Sequence, residues 1–178
     1  MQKIYFLLLC LFPLMSCSQN KTSTTPVEID EKLLPQQNFT TLKFEADGKP
    51  CIALINNRYI GYKEKLKFSM SLFVMVNTIE KNKDGHPNEK ETETFNTLQT
   101  EIISELSKVL GPYCYIGTTT MPGYRDILLY INPGDREKAT DILKKIKEKN
   151  SRVDTISFEE DTEWEAVASF YEAISLKN

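Results

Sequence analysis

Apolar and polar residues alternate along one stretch near the middle of the chain, residues 66–76. A period of two predicts a β-strand with one buried face, because successive side chains of a strand point to opposite sides of the sheet. The apolar face comprises Leu66, Phe68, Met70, Leu72, Val74 and Val76. Phe73 and Met75 fall on the other face of the same strand.

Three other stretches repeat apolar residues every three or four positions, which predicts amphipathic helices. The first starts at Asn88 as N-cap, carries acidic residues in its first turn and ends at Gly111-Pro112. The second covers about residues 135–149. The third begins near Trp164. Thr162 and Glu165 have the spacing of a capping box at its start.

The remaining strands are predicted by short runs bounded by turn residues. They are residues 42–46, 50–56, 113–120, 124–131 and 152–158. Asp47-Gly48 favours a hairpin between the first two, and Pro122-Gly123 favours a type II turn between the next two. Between residues 66 and 158 the order is therefore β-α-β-β-α-β.

This order predicts an α+β fold with a ferredoxin-like core, in which two helices cover one face of a four-stranded antiparallel sheet. The N-terminal hairpin and the C-terminal helix are additions to that core. Alternation places aromatic and apolar residues on the sheet face away from the two helices: Phe73, Met75, Tyr113, Tyr115, Leu128 and Tyr130. We expect the C-terminal helix or the hairpin to cover this face; if neither does, it is a binding surface or a dimer interface.

The chain begins with one lysine and about a dozen apolar residues, the build of a secretory signal peptide and too short to span a bilayer. The run ends in Leu14-Met15-Ser16-Cys17, which resembles the lipobox of bacterial lipoproteins. This resemblance implies cleavage after residue 16 and lipidation of Cys17. We therefore expect a signal peptide at 1–16, a lipidated cysteine and flexible tether at 17–40, and one domain at 41–178. By resemblance to the sorting rules of enteric bacteria, Ser18 after the cysteine favours the outer membrane, and the lack of an acidic run in residues 18–23 favours its periplasmic side.

The charge and the cysteine content of the chain limit which partners and which bonds are expected. With 22 Lys and Arg against 25 Asp and Glu, the formal net charge is −3, which argues against nucleic acid as a partner. Removing Cys10 with the signal and lipidating Cys17 leaves Cys51 and Cys114. In an oxidising compartment these two form either a disulfide bridge or a pair of buried free thiols.

Several motifs resemble the bacterial domain of unknown function 695 family over roughly residues 40–175. They are Asp84-Gly85-His86-Pro87, Tyr115-Ile116-Gly117, the strand 125–130, and Asp161-Thr162-Glu163-Trp164-Glu165. The resemblance implies no established activity. It also implies a relation to the domain of a regulator of ribonuclease activity B, an intracellular role that an export signal does not favour.

No catalytic or metal-binding set is evident in the sequence. Glu80, Asn82, Asp84 and Glu91 approach the spacing of an EF-hand calcium loop, but a glutamate stands at its first position and Pro87 interrupts it. His86 is the only histidine and lies in a Gly-Pro loop, where exposure is the default. We therefore predict no cofactor and no metal.

The sequence thus favours a lipid-anchored binding domain whose partner is an unidentified protein or small molecule and which touches the membrane through its lipid. One alternative is an envelope hydrolase that uses carboxylates, either Glu160, Asp161 and Glu163 or those of the Glu80/Asp84/Glu91 loop. A second alternative is a regulator related to the ribonuclease-inhibitor B-like domain.

Overall fold

The computed structural model describes residues 34–176. The predicted signal peptide, Cys17 and most of the predicted tether therefore lie outside the described residues. The described part contains six strands and three α-helices. They are β1 Phe39–Ala46, β2 Lys49–Asn56, β3 Met70–Asn77, α1 Glu89–Ser107, β4 Cys114–Met121, β5 Tyr124–Ile131, α2 Arg136–Lys149, β6 Val153–Glu160 and α3 Glu165–Ser175. Within this part, no helix is long and apolar enough to cross a membrane.

All six strands belong to one antiparallel sheet in the order β1-β2-β4-β5-β3-β6. The predicted α+β class is confirmed, but the sheet is larger than the predicted four strands. The reason is that residues 52–55 of β2 pair with residues 117–120 of β4, so the N-terminal hairpin continues the sheet.

Helices α1 and α2 cover one face of this sheet. Their apolar stripes pack on Met70, Leu72, Val74 and Val76 of β3 and on alternate residues of β5, as the alternation predicted. Asn88 is the N-cap of α1, and its side chain accepts a hydrogen bond from the Glu91 backbone N–H at 2.8 Å. Residues 66 and 68 do not belong to β3, because a 3₁₀ turn at Lys65–Phe68 precedes it. Leu66 is consequently exposed, and Phe68 is buried on the other side of the sheet.

Helix α3 covers much of the opposite face. Trp164 stacks on Tyr130 with ring centroids 4.3 Å apart, and its indole N–H donates to the carbonyl of Phe68 at 3.0 Å. The predicted Thr162–Glu165 capping box is wrong. Trp164 has a left-handed backbone (φ 62°), and the Asp161 carboxylate instead accepts hydrogen bonds from the first N–H groups of the helix at 2.8 and 3.0 Å.

A β-bulge in β4 changes which side chains share a face. The register between β4 and β5 shifts between Tyr115 and Gly117, so odd-numbered residues before and after the shift point to opposite sides. Tyr113 and Tyr115 therefore lie on the α1 face, where their hydroxyls hydrogen-bond Ser107 and Gln99. Their predicted placement with Phe73 and Tyr130 is wrong.

Candidate functional site

A groove of about 690 Å³ lies on the α1 face of the sheet. Hairpin residues, among them Lys43, Glu45 and Ile52, line it together with His86 and Pro87 of the loop before α1. We call this feature the hairpin groove. It exists because the hairpin extends the sheet beyond the edge of α1, which leaves part of a sheet face without a covering helix.

One row of paired residues crosses the floor of the hairpin groove. Lys43 pairs with Ile52, Ile52 with Thr120, and Thr120 with Arg125, so the four side chains share one face of four neighbouring strands. With strands about 4.8 Å apart, the row is about 14 Å long. It has a cation at each end and an apolar residue between them. Ile52 is 40% exposed, and the neighbouring Leu54 on the same face is 41% exposed.

The guanidinium of Arg125 is the most unusual group of the groove. Its Nε donates to Thr120 Oγ1 at 3.0 Å, and its carbon Cζ lies 3.7 Å from the centre of the Phe95 ring. Its Nη1 is buried and has no hydrogen-bond partner among the described residues, and no described carboxylate forms an ion pair with it. Burial lowers the pKa of Arg125 to about 10, so the group is still charged at neutral pH.

Arg152, in contrast to Arg125, has an acidic partner in this fold. It forms an ion pair with Glu91, a side chain of α1 that is only 5% exposed. The same Glu91 oxygen accepts the backbone N–H of Ile79 at 2.9 Å. This pair joins the start of β6 to α1 and to the segment after β3. Arg125 has no equivalent acidic partner within residues 34–176, which distinguishes the two half-buried arginines.

The loop at residues 82–87 forms a firm wall of the groove. The side chain of Asn82 accepts the backbone N–H groups of Asp84 and His86 at 2.9 and 3.0 Å. His86 Nε2 lies 2.6 Å from the carbonyl of Pro50, which fastens this loop to the hairpin. His86 is therefore half-buried and bonded across the groove, in contrast to the exposure predicted for it.

The carboxylates considered for calcium binding or hydrolysis do not converge. Glu91 is paired with Arg152, and Glu80 is bonded to Asn88 and Lys90 at 3.0 and 3.1 Å. Asp161 caps α3 and accepts the Tyr130 hydroxyl at 2.5 Å. Within residues 34–176 no group of three acidic, histidine or cysteine side chains is placed to hold a metal ion.

The two cysteines of the domain are free and buried. The register of β2 and β4 places Cys51 beside the last residue of β4, whereas Cys114 is its first residue. Seven residues of strand separate them, which is about 23 Å. A disulfide needs Cα atoms less than about 7 Å apart, so this fold does not bring the two thiols together.

The predicted binding face is divided by the structure. Tyr130 is buried under Trp164, and Phe73 is half-buried beside α3. Arg125, the central residue of the hairpin groove, was not among the residues singled out from the sequence. A signal for it was available: Arg125 and Asp126 are adjacent charges in a strand that is otherwise almost entirely apolar, a placement typical of a site rather than of a core.

Residues 37–171 match the model of one protein family, described as a family of unknown function (DUF695). No curated protein and no solved structure matches the chain.

Proposed function

Because the chain belongs to the family of unknown function DUF695, whose description carries no activity, we propose a function from the geometry of the hairpin groove. The domain is a binding module that holds an organic anion against Arg125. One observation carries this proposal: the half-buried guanidinium at the groove has no acidic partner among residues 34–176.

A buried charge without a partner costs several kcal/mol in the folded state, and replacing it with an apolar residue is often neutral or stabilising. A ligand anion would supply the missing partner. Carboxylate and phosphate groups suit a guanidinium because a charge-assisted hydrogen bond is roughly twice as strong as one between neutral groups. Thr120, which is buried beside Arg125 and bonded to its Nε, holds the planar group in one orientation.

The rest of the groove suggests the rest of the ligand. Two exposed apolar side chains lie on this face of the sheet: Ile52 belongs to the row that ends in Arg125, and Leu54 lies next to Ile52. Burying such surface contributes about 25 cal/mol per Å². A volume of about 690 Å³ is in the range of sites for small molecules of drug size. The ligand we propose therefore has an anionic head on Arg125 and an apolar body on Ile52.

Simple probes test this function. Hexanoate and hexyl phosphate carry the head and a short apolar body, acetate carries the head alone, and 1-hexanol carries the body alone. We expect the first two to raise the thermal unfolding temperature of the domain, because a ligand that binds only the folded state stabilises it by about 2.7 kcal/mol at a hundred times its Kd. Acetate and 1-hexanol should have much smaller effects.

Variants make the same test specific. Arg125→Met should abolish the shift caused by hexanoate. Lys145→Met removes an exposed lysine of α2 outside the groove and should leave the shift unchanged. An equal shift for hexanoate and 1-hexanol, or an undiminished shift in Arg125→Met, would show that the groove does not bind anions through Arg125.

We also propose that Cys17 anchors this module to the envelope membrane, with the outer membrane favoured and the domain on its periplasmic side. The support is the Leu14-Met15-Ser16-Cys17 pattern after the apolar run. Two or more acyl chains give durable anchoring where one does not. Cys17→Ala should therefore block lipidation and leave the precursor uncleaved, which changes both its processing and its membrane fractionation. Unchanged processing and fractionation in that variant would remove the anchor from the proposal.

A further inference from the structure

The opposite face of the sheet contains a second, smaller concavity. Helix α3 covers one end of this face and leaves a depression of about 220 Å³ at the turn between β4 and β5. We call it the aromatic depression. Four aromatic side chains line it, contributed by β1, β3, β5 and α3: Phe44, Phe73, Tyr124 and Phe170. It is what remains accessible of the aromatic sheet face that the sequence predicted.

Among the described residues, Asp126 is the only one with a charged side chain that lines the aromatic depression. It lies opposite Thr119 on β4, whose hydroxyl donates to Asp126 Oδ2 at 2.8 Å. No described lysine, arginine or histidine forms an ion pair with it. The adjacent Arg125 does not compensate the charge, because successive residues of a strand point to opposite faces.

The negative charge of Asp126 and the aromatic lining of the depression both favour a cationic ligand. Burial raises the pKa of Asp126, which records a carboxyl group that lacks solvent and a cationic partner. The pKa of Tyr124 is raised by burial and by the nearby negative charges of Asp126 and Asp47. The depression therefore has a negative potential and aromatic walls. Aromatic rings attract cations through their negative faces, most strongly where water is excluded.

A metal ion does not fit this arrangement. Calcium takes six to eight oxygen ligands and magnesium a near-ideal octahedron. Here the paired oxygens are those of one carboxylate and of Thr119, and the rest of the lining is mainly aromatic and aliphatic. An organic ammonium ion needs only one carboxylate, and its methyl or methylene groups pack well on the rings.

We propose that the aromatic depression is a second binding site, which takes a small organic ammonium ion with its charge on Asp126 and its carbon atoms against the phenylalanine rings. The site lies on the face opposite the hairpin groove. It neither requires nor excludes a ligand bound to Arg125. The domain would thus carry one anion site and one cation site on opposite faces of the same two strands.

Titration of the uniformly ¹⁵N-labelled domain with n-butylammonium and tetramethylammonium chloride, monitored by NMR at constant ionic strength near neutral pH, tests the proposal. We expect saturable shifts of the Thr119 and Asp126 amide signals. The uncharged isostere 1-butanol should bind at least about tenfold more weakly than n-butylammonium, because it lacks the charge that pairs with the carboxylate. Sodium chloride should produce no saturable shift.

Asp126→Asn is the decisive variant. It keeps the shape of the side chain and removes a desolvated charge, so it should fold at least as well as the parent and lose at least about tenfold in ammonium affinity. Lys145→Met, which removes an exposed lysine of α2 outside the depression, should retain the affinity of the parent. Phe170→Leu should weaken binding by a smaller factor, since it removes one ring and keeps the apolar volume.

Three results would overturn the proposal. One is 1-butanol binding as tightly as n-butylammonium, which would make the depression merely apolar. Another is unchanged ammonium affinity in Asp126→Asn. The third is the absence of saturable shifts at these residues up to about 100 mM ammonium, a concentration that corresponds to a binding free energy of only about 1.4 kcal/mol.

Discussion

The two half-buried arginines offer a direct comparison between a structural charge and a charge that awaits a ligand. We compare Arg125→Met with Arg152→Met in the absence of any ligand. Methionine keeps an unbranched apolar stem in both positions and removes the guanidinium. The outcomes should differ, because Arg152 is paired with Glu91 whereas Arg125 forms no ion pair with a described residue.

For Arg125→Met the opposing contributions nearly cancel. Burial lowers the pKa of Arg125 from 12.5 to about 10, which corresponds to a cost of about 3 kcal/mol without screening and about 1–2 kcal/mol once solvent screening of this half-exposed group is included. Removing the charge recovers that cost. The variant loses about 1 kcal/mol with the Thr120 hydrogen bond and about 1 kcal/mol with the contact to Phe95. We expect a free energy of unfolding within about 1 kcal/mol of the parent value.

Arg152→Met should be much more damaging. It leaves the Glu91 carboxylate, only 5% exposed, without its cation, and an uncompensated buried charge costs about 3–5 kcal/mol. Trp164, the only tryptophan, is fully buried and reports unfolding by fluorescence. Urea titrations therefore give the change in the free energy of unfolding for each variant, provided that its dependence on urea concentration has the same slope as in the parent. If Arg125→Met lowered the free energy of unfolding by about 3 kcal/mol or more, the loss would equal that of a broken buried ion pair. Arg125 would then be a structural residue, and our reasoning would be refuted.

Three other changes test the description of the fold. Gly117→Ala should cost more than about 3 kcal/mol in urea unfolding, because Gly117 has φ +142° and an added Cβ would lie 1.9 Å from the carbonyl oxygen of Leu54; a near-neutral effect would mean that the bulge is misplaced. Tyr171→Phe should be neutral or stabilising by up to about 1 kcal/mol, since the buried hydroxyl of Tyr171 has no partner among the described residues. A loss of stability above about 2 kcal/mol, more than one hydrogen bond contributes, would show that the hydroxyl has a partner. Burial raises the pKa of Asp126, so the folded state binds its proton more tightly than the unfolded chain, and the contribution to stability is present at acid pH and lost as pH rises through the raised value. Asp126→Asn should therefore be more stable than the parent at neutral pH, with the difference shrinking in acid; no change of the difference with pH would contradict this sign.

Much of the secondary structure could be predicted from the sequence because local signals agreed with each other. The helical period of α1, its Asn88 cap and the Gly111-Pro112 stop all point to one element, which the structure places at Glu89–Ser107. The alternation of β3 correctly assigned Met70, Leu72, Val74 and Val76 to the face under the helices. Here each residue's preference and the global fold demand the same conformation.

The sheet size and the membership of each face could not be predicted in the same way. Which strand the hairpin pairs with depends on contacts distant in sequence, between β2 and β4. One bulge near Gly117 was enough to move Tyr113 and Tyr115 to the α1 face, since a shift of one residue reverses every side chain. The residue that caps α3 is Asp161 instead of Thr162: Trp164 before the helix has a left-handed backbone, and its ring stacks on Tyr130.

The candidate site was missed for a related physical reason. Sequence reasoning searches for residues that attract one another, such as carboxylate clusters or a histidine with a base. Arg125 and Asp126 are informative because neither forms an ion pair with any of residues 34–176. Alternation along the predicted strand already places the two side chains on opposite faces, but only the structure shows that Thr120 and Thr119 are their respective partners.

The most direct test of the anion site is the affinity for hexanoate, measured by isothermal titration calorimetry on the parent, Arg125→Met and Lys145→Met. Losing a charge-assisted pair should cost about 1.5–3 kcal/mol, so we predict that Arg125→Met binds hexanoate about 10- to 100-fold more weakly. Lys145→Met should bind like the parent. Equal affinity for hexanoate in the parent and in Arg125→Met would contradict the proposal that this domain binds anions through Arg125.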